Sequence, residues 1–214
     1  MNIELRKTIP LPLVEIDHKD SEIWEAESLI LIPGDRILIH APSGRGKTTL
    51  LSMIYGIRKD YQGEILLDGE LLSSMNTRKI ATLRKKNLSY IFQGLELFEE
   101  LTALENIMLK NRQTRFKSTQ QILEMAEILE IQHFLDRKAG ILSFGQQQRV
   151  AIIRALCQPI NFLLADEIFS HLDEAIAQKA FELLDHELEQ QEAGLLFTSL
   201  KERHDPFFSK KYRV

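Results

Sequence analysis

Ala41-Pro42-Ser43-Gly44-Arg45-Gly46-Lys47-Thr48-Thr49-Leu50 is the stretch on which the fold turns. It follows the apolar run Ile37-Leu38-Ile39 and leads into Leu50-Leu51-Ser52-Met53-Ile54, the order strand, glycine loop, helix. The spacing fits the phosphate-binding loop G-x-x-x-x-G-K-[ST], with Ala41 where the first Gly is usual. Gly44 and Gly46 let backbone N–H groups curl around an oxyanion because no Cβ blocks the approach. The helix that begins near Gly46 adds the positive end of its dipole. Lys47 can reach the β- and γ-phosphates of a nucleotide, and the Thr48 hydroxyl can face Mg²⁺.

Outward from this loop, the 214 residues make one domain of ordinary size, long enough to bury a sizeable core. Lys and Arg number 27 against 31 Asp and Glu, a net charge of −4 that does not announce nucleic acid or an anionic membrane. The basic clusters, such as Arg84-Lys85-Lys86, are short and read as solvated faces. The single Cys157 excludes an intramolecular disulfide and fits a reducing cytosol. No apolar run approaches the roughly 18–20 residues of a membrane-spanning helix. The first residues lack the apolar core of a signal peptide, so any membrane role is expected to come through a partner.

Residues 1–40 read as β structure, with apolar runs at 11–16, 29–32 and 37–39. A continuous apolar strand such as the last suits a parallel sheet covered on both faces. The helix after the loop is expected to stop near Gly56. Residues 63–67 read as a strand, Asp68-Gly69 as a tight turn, 76–86 as a helix, and 87–92 as a strand that delivers Gln93 and Gly94. Between 94 and 157 the strand signals stop. Thr102-Ala103-Leu104-Glu105 is a capping box, 118–130 has helical apolar spacing, and another helix runs from about Ser143 to Arg154. Residues 161–165 are a strand, 173–192 a long amphipathic helix, 194–198 a buried strand, and 211–214 a final edge strand.

Phe162-Leu163-Leu164-Ala165-Asp166-Glu167 is an apolar strand ending in two carboxylates, the Walker B pattern. At such a strand tip Asp166 can hold Mg²⁺ and Glu167 can polarise a water as general base. Just upstream, Leu142-Ser143-Phe144-Gly145-Gln146 resembles the Leu-Ser-Gly-Gly-Gln signature of ABC-type ATPases, with Phe144 in place of the first Gly. Gln93 resembles that family's Q-loop, and Ser170-His171-Leu172-Asp173 its D-loop. The order of these motifs matches the family over about residues 10–205. The stretch from Ile80-Ala81-Thr82-Leu83-Arg84 to Leu101-Thr102-Ala103-Leu104-Glu105-Asn106 further resembles the branch serving lipoprotein release, macrolide export and cell division.

The resemblance implies an α/β, P-loop NTPase core with a mostly parallel sheet, an antiparallel β subdomain and an inserted α-helical subdomain. Residues 1–93 and 158–214 would form the core with the β subdomain, and 94–157 the helical insertion. It implies a cytoplasmic ATP-binding and ATP-hydrolysing subunit at the inner face of a membrane, working with integral membrane permease subunits and with no nucleic acid. Two such subunits, identical or different, would pack head to tail with ATP and Mg²⁺ between them. Residues 41–49 would bind the phosphates, Thr48, Gln93 and Asp166 would serve the metal, Gln93 and Glu167 the hydrolysis, and Ser143, Gly145 and Gln146 would act across the dimer. Counting back from Lys47 puts His18 where the family often stacks adenine on an aromatic; Trp24 reads as core. After the last buried strand the family usually carries Thr-His, whereas here Thr198 precedes Ser199 and His204 lies further along. Serine cannot carry a positive charge, so slow or partner-dependent hydrolysis is expected. The alternatives are an ATP switch that regulates a membrane complex without transport, and a hydrolysis-impaired subunit.

Overall fold

The computed structural model describes residues 1–16, 18, 20–200 and 207–214. Two sheets carry the fold. Strands β1 (Ile3–Pro10), β2 (Ser28–Leu31), β4 (Tyr61–Leu67) and β5 (Glu70–Leu71) form an antiparallel sheet in the order β2-β1-β4-β5. In β1, Ile3 and Leu5 are buried while Glu4 and Arg6 face out, the period of two that a half-covered strand needs. Asp68 and Gly69, both with positive φ, make the tight turn between β4 and β5.

The second sheet is wholly parallel: β3 (Arg36–His40), β6 (Leu88–Ile91), β7 (Phe162–Asp166), β8 (Gly194–Ser199) and β9 (Lys210–Arg213) in the order β6-β7-β8-β3-β9. Its inner strands carry continuous apolar runs, residues 37–39 and 162–165 among them, because both faces are covered. One face packs Ile37, Ile39, Leu164 and Leu196 against helix α1 (Lys47–Ile54) and the buried side of the antiparallel sheet. The other packs Leu38, Leu163, Leu195 and Phe197 against α3 (Ala103–Thr114), α4 (Thr119–Ile128), α5 (Phe144–Leu156) and α6 (Glu174–Glu189). Helix α2 (Thr77–Lys86) leads into β6.

One stretch differs from the sequence reading. Residues 11–16 are not a strand: Leu11–Leu13 is a single 3-10 turn. Pro10 is the last residue of β1, and Pro12 lacks an N–H donor, so the ladder does not continue past this point. The strand lies earlier, in β1, where the alternation of charged and apolar residues carries it. His204 falls outside the described residues. Among the described residues no helix is long and apolar enough to cross a membrane.

Candidate nucleotide site

In an open parallel sheet, ligands bind outside the carboxyl ends of the strands. Here those ends collect the loop after β3, Gln93 just after β6, Asp166 and Glu167 at the tip of β7, and Thr198 and Ser199 at the end of β8. Residues far apart in the sequence are thereby brought to one edge.

The loop 41–46 enters α1 through Gly46, whose φ of 97° is open to glycine but costly for other residues. A Cβ there would also stand 2.9 Å from Leu13 Cδ1 and 3.1 Å from Trp24 Cζ2. Trp24 is buried beneath the loop, and its indole Nε1 donates to the Arg45 carbonyl at 3.4 Å. It is core, and it is also the floor that holds the loop. Lys47, 5% exposed, donates from Nζ to the carbonyls of Ala41 at 2.8 Å and Pro42 at 3.2 Å. The same ammonium lies 3.3 Å from Glu167 Oε1, so the two ends of the site meet in a buried ion pair.

The carboxylates are held by a residue the sequence reading did not assign. Thr198 Oγ1 donates to Asp166 Oδ1 at 2.6 Å and accepts from the backbone N–H of Glu167 at 3.2 Å. The register that sets Asp166 opposite Thr198 makes this contact, and no local pattern announces it. Glu167 has a φ of 53°, an uncommon conformation for a non-glycine residue, found here at the strand tip. Asp166 is fully buried, and its second oxygen, Oδ2, has no hydrogen-bond partner. On the next strand Tyr90 is buried, and burial, with the Asp166 carboxylate nearby, pushes its phenol well above the usual range.

Two cavities flank the loop. One, of 250 Å³, is lined by Pro10, Pro12, Leu13, Ser43, Gly44, Gly46, Lys47, Thr48, Thr49, Arg58, Gln93 and Glu167. The other, of 620 Å³, is lined by Pro42, Ser43, Gly44 and Arg45 together with Leu13, Ile16, His18, Asp20, Ser21, Trp24, Arg213 and Val214. His18 thus sits beside the loop, in a different cavity from Lys47 and Thr48. Its ring is engaged on both sides, with Nδ1 2.6 Å from the Ile16 carbonyl and Nε2 3.2 Å from Glu25.

Ser143, Gly145 and Gln146 line neither cavity. Ser143 caps α5 in a reciprocal box: its Oγ accepts from Gln146 N–H at 3.3 Å, and Gln146 Oε1 accepts from Ser143 N–H at 2.9 Å. Phe144 is 41% exposed and meets His171 edge-on, with ring centroids 4.5 Å apart. At the far end of α5, Arg154 is buried and donates to the carbonyls of Leu95 and of Glu96, the latter at 2.6 Å. Both acceptors have positive φ and follow directly on Gln93-Gly94, so one helix carries the signature stretch at its start and ties the Gln93 loop at its end.

These residues fit a nucleoside triphosphate and a divalent cation. The glycine turn leaves backbone N–H groups for phosphate oxygens, Lys47 supplies a buried cation, and the orphaned Asp166 Oδ2 is an acceptor of the hard oxygen type that Mg²⁺ takes. Among the described residues no cluster of three or more His, Cys, Asp or Glu could cage a metal by itself.

The family model described as "ABC transporter" matches residues 25–170. The chain is 36% identical over 183 residues to the lipoprotein-releasing system ATP-binding protein LolD of Psychrobacter arcticus, a match covering 84% of this chain and 81% of that protein. It is similar to the dimeric structure of MJ0796, a bacterial ABC transporter cassette, with a TM-score of 0.78 at 27% identity, covering 99% of this chain and 94% of that one. A post-hydrolysis dimer of the same cassette bound to ADP and Pi gives a TM-score of 0.73 at 27% identity, covering 95% of this chain and 88% of that one.

Proposed function

This chain belongs to the ABC transporter family, and from that premise we propose which residues do its chemistry, how it assembles and what it serves. It is an ATP-binding cassette with ATPase function, and Mg²⁺ is the usual partner of its nucleotide. In our reading, the backbone of residues 41–46 cradles the phosphates, with Lys47, Thr48 and Thr49 completing the cradle. Thr48, Gln93 and Asp166 hold the cation. Held by these residues, a divalent cation would supply positive charge against the charge that develops on the phosphates. Glu167 accepts a proton from the attacking water, and Thr198 keeps Asp166 and Glu167 in place. His18 borders the base side of the loop.

Ser143, Gly145 and Gln146 complete the site of a second subunit, head to tail. The helix start that Ser143 caps is suited to an anion. We take residues 94–157 as the helical subdomain that meets integral membrane permease subunits, which would hold this chain at the cytoplasmic face of a membrane. The similarity to LolD supports a transporter of the lipoprotein-release kind.

One observation carries the assignment: Lys47 Nζ lies 3.3 Å from Glu167, which brings the phosphate loop and the carboxylate strand together in a buried site. Lys47→Ala is expected to remove ATP binding in calorimetric titration and ATPase activity with it; undiminished affinity would overturn the phosphate-loop assignment. A second reading, a slowly hydrolysing subunit, is favoured by Ser199 at the end of β8, which cannot carry a positive charge. Steady-state ATPase rates with and without the co-purified membrane partner separate the two.

A further inference from the structure

Arg58 is a cation in the 250 Å³ cavity that no motif of the chain accounts for. It sits just past the end of α1, where the backbone N–H groups of Ile57 and Arg58 both donate to the Ser52 carbonyl, at 2.9 and 3.2 Å. Its side chain is fixed on two sides. Nε donates to Asp60 Oδ1 at 2.9 Å and Nη2 to Asp60 Oδ2, a two-pronged pair, while Nη1 donates to Thr49 Oγ1 at 3.3 Å. A guanidinium has five N–H donors. Three are engaged here, which leaves one hydrogen on Nη1 and one on Nη2 at the cavity wall.

The position within the cavity follows from its neighbours. Lys47 marks one end by its contact with Glu167. Arg58 marks another: the Asp60 carbonyl accepts from the Leu11 N–H at 2.9 Å, which ties this segment to the wall made by Pro10, Pro12 and Leu13. Thr49, in the first turn of α1, lines the same cavity as both cations. Because its oxygen already accepts from Arg58, its own hydroxyl proton is left to donate to a ligand oxygen. Lys47, Thr49 and Arg58 line the same cavity, so a ligand whose terminal phosphate takes Lys47 can turn an inner phosphate to Thr49 and Arg58. Asp60 balances the charge of Arg58, so its contribution is directional donors, held ready in one orientation.

We propose that Arg58, braced by Asp60, is a further nucleotide-binding residue that, with Thr49, donates to an inner phosphate of the bound nucleotide. This rests on the phosphate-site reading above, and the test separates the two.

Calorimetric titrations of Mg-ATP and Mg-ADP into the full chain would compare wild type, Arg58→Ala, Arg58→Lys and Lys47→Ala. Arg58→Ala is expected to weaken ATP and ADP by the same factor, about tenfold, the scale of a charge-assisted hydrogen bond. Arg58→Lys, which keeps the charge but not the fork, is expected to fall between. Adding Thr49→Val to Arg58→Ala should cost less than the two single losses combined, since both act on one phosphate. Thermal melts alongside check folding, and Arg58→Lys carries the test if Arg58→Ala does not fold. Affinities within twofold of wild type for both nucleotides would overturn the proposal. So would a loss confined to ATP, which would put Arg58 at the terminal phosphate. Binding by Lys47→Ala at wild-type strength would instead overturn the underlying site assignment.

Discussion

At the scale of single residues, Thr198 is the most informative. One hydroxyl donates to Asp166 and accepts from Glu167, so it couples the proposed metal ligand to the proposed base. Thr198→Val keeps the shape and removes both bonds. It is expected to lower kcat by about tenfold or more through misplacement of the two carboxylates, while ATP affinity changes little. An unchanged kcat in steady-state assays would show that the carboxylates hold their positions without it. Titration adds a second expectation. Burial pushes the Cys157 thiol up from its ordinary 9.0 to about 12, and burial raises Tyr55 and Tyr90 as well. For groups whose folded pKa lies above the unfolded one, the stabilisation is complete below the unfolded pKa and is lost as pH rises toward the folded one. The melting temperature should therefore be insensitive to these groups through neutral pH and fall above about pH 9. The same burial keeps Cys157 a thiol, unreactive toward alkylating reagents until the chain unfolds.

At the scale of elements, α5 joins the Ser143 stretch to the loop that follows Gln93. Its N-terminus is closed by the Ser143–Gln146 box, and its last turn sends Arg154 into the loop at residues 95 and 96. That loop runs through two consecutive non-glycine residues with positive φ, a conformation that persists only where its surroundings enforce it. Arg154→Ala leaves two carbonyls without their buried donor and is expected to destabilise the fold by about 2–3 kcal/mol in urea unfolding. The amides of residues 94–97 should also exchange faster with solvent. Unchanged exchange there would mean that the loop is held by its own packing. Helices α3 and α4 share a continuous apolar core with α5, α6 and the parallel sheet, so a shift at one end of α5 is resisted or transmitted by the whole layer.

At the scale of the whole molecule, the signature stretch and the phosphate loop do not line a common cavity within one chain. Phe144 and Ser143 lie at the surface, with Phe144 stacked edge-on against His171. In the assembly proposed above, a second subunit brings this surface to a nucleotide. Glu167→Gln, which removes the proposed base while keeping the size of the side chain, is expected to accumulate as an ATP-bound dimer. Light scattering in the presence of Mg-ATP should read about twice the monomer mass, as closed two-fold pairs do. A monomer under saturating ATP would mean that the isolated chain does not form the shared site.

The local patterns alone carried much of this molecule. The glycine loop, the apolar strand before it, the Asp166-Glu167 tip, the capping box at Thr102 and the helix start near Ser143 are all short-range signals. Each arises from backbone geometry or hydrogen bonding within a few residues, which is why each could be read in order. Residues 11–16 misled because apolar content says nothing about ladder donors, and Pro12 has none to give. What only the tertiary structure decided are contacts set by strand order. Placing β8 between β7 and β3 puts Thr198 against Asp166. Packing Trp24 under Gly46 gives the phosphate loop its floor, and folding the chain back past α1 puts Arg58 into the cavity beside Thr49. These pairings join residues dozens of positions apart or lie beyond the span of any motif, and register and packing, not composition, determine which side chains meet.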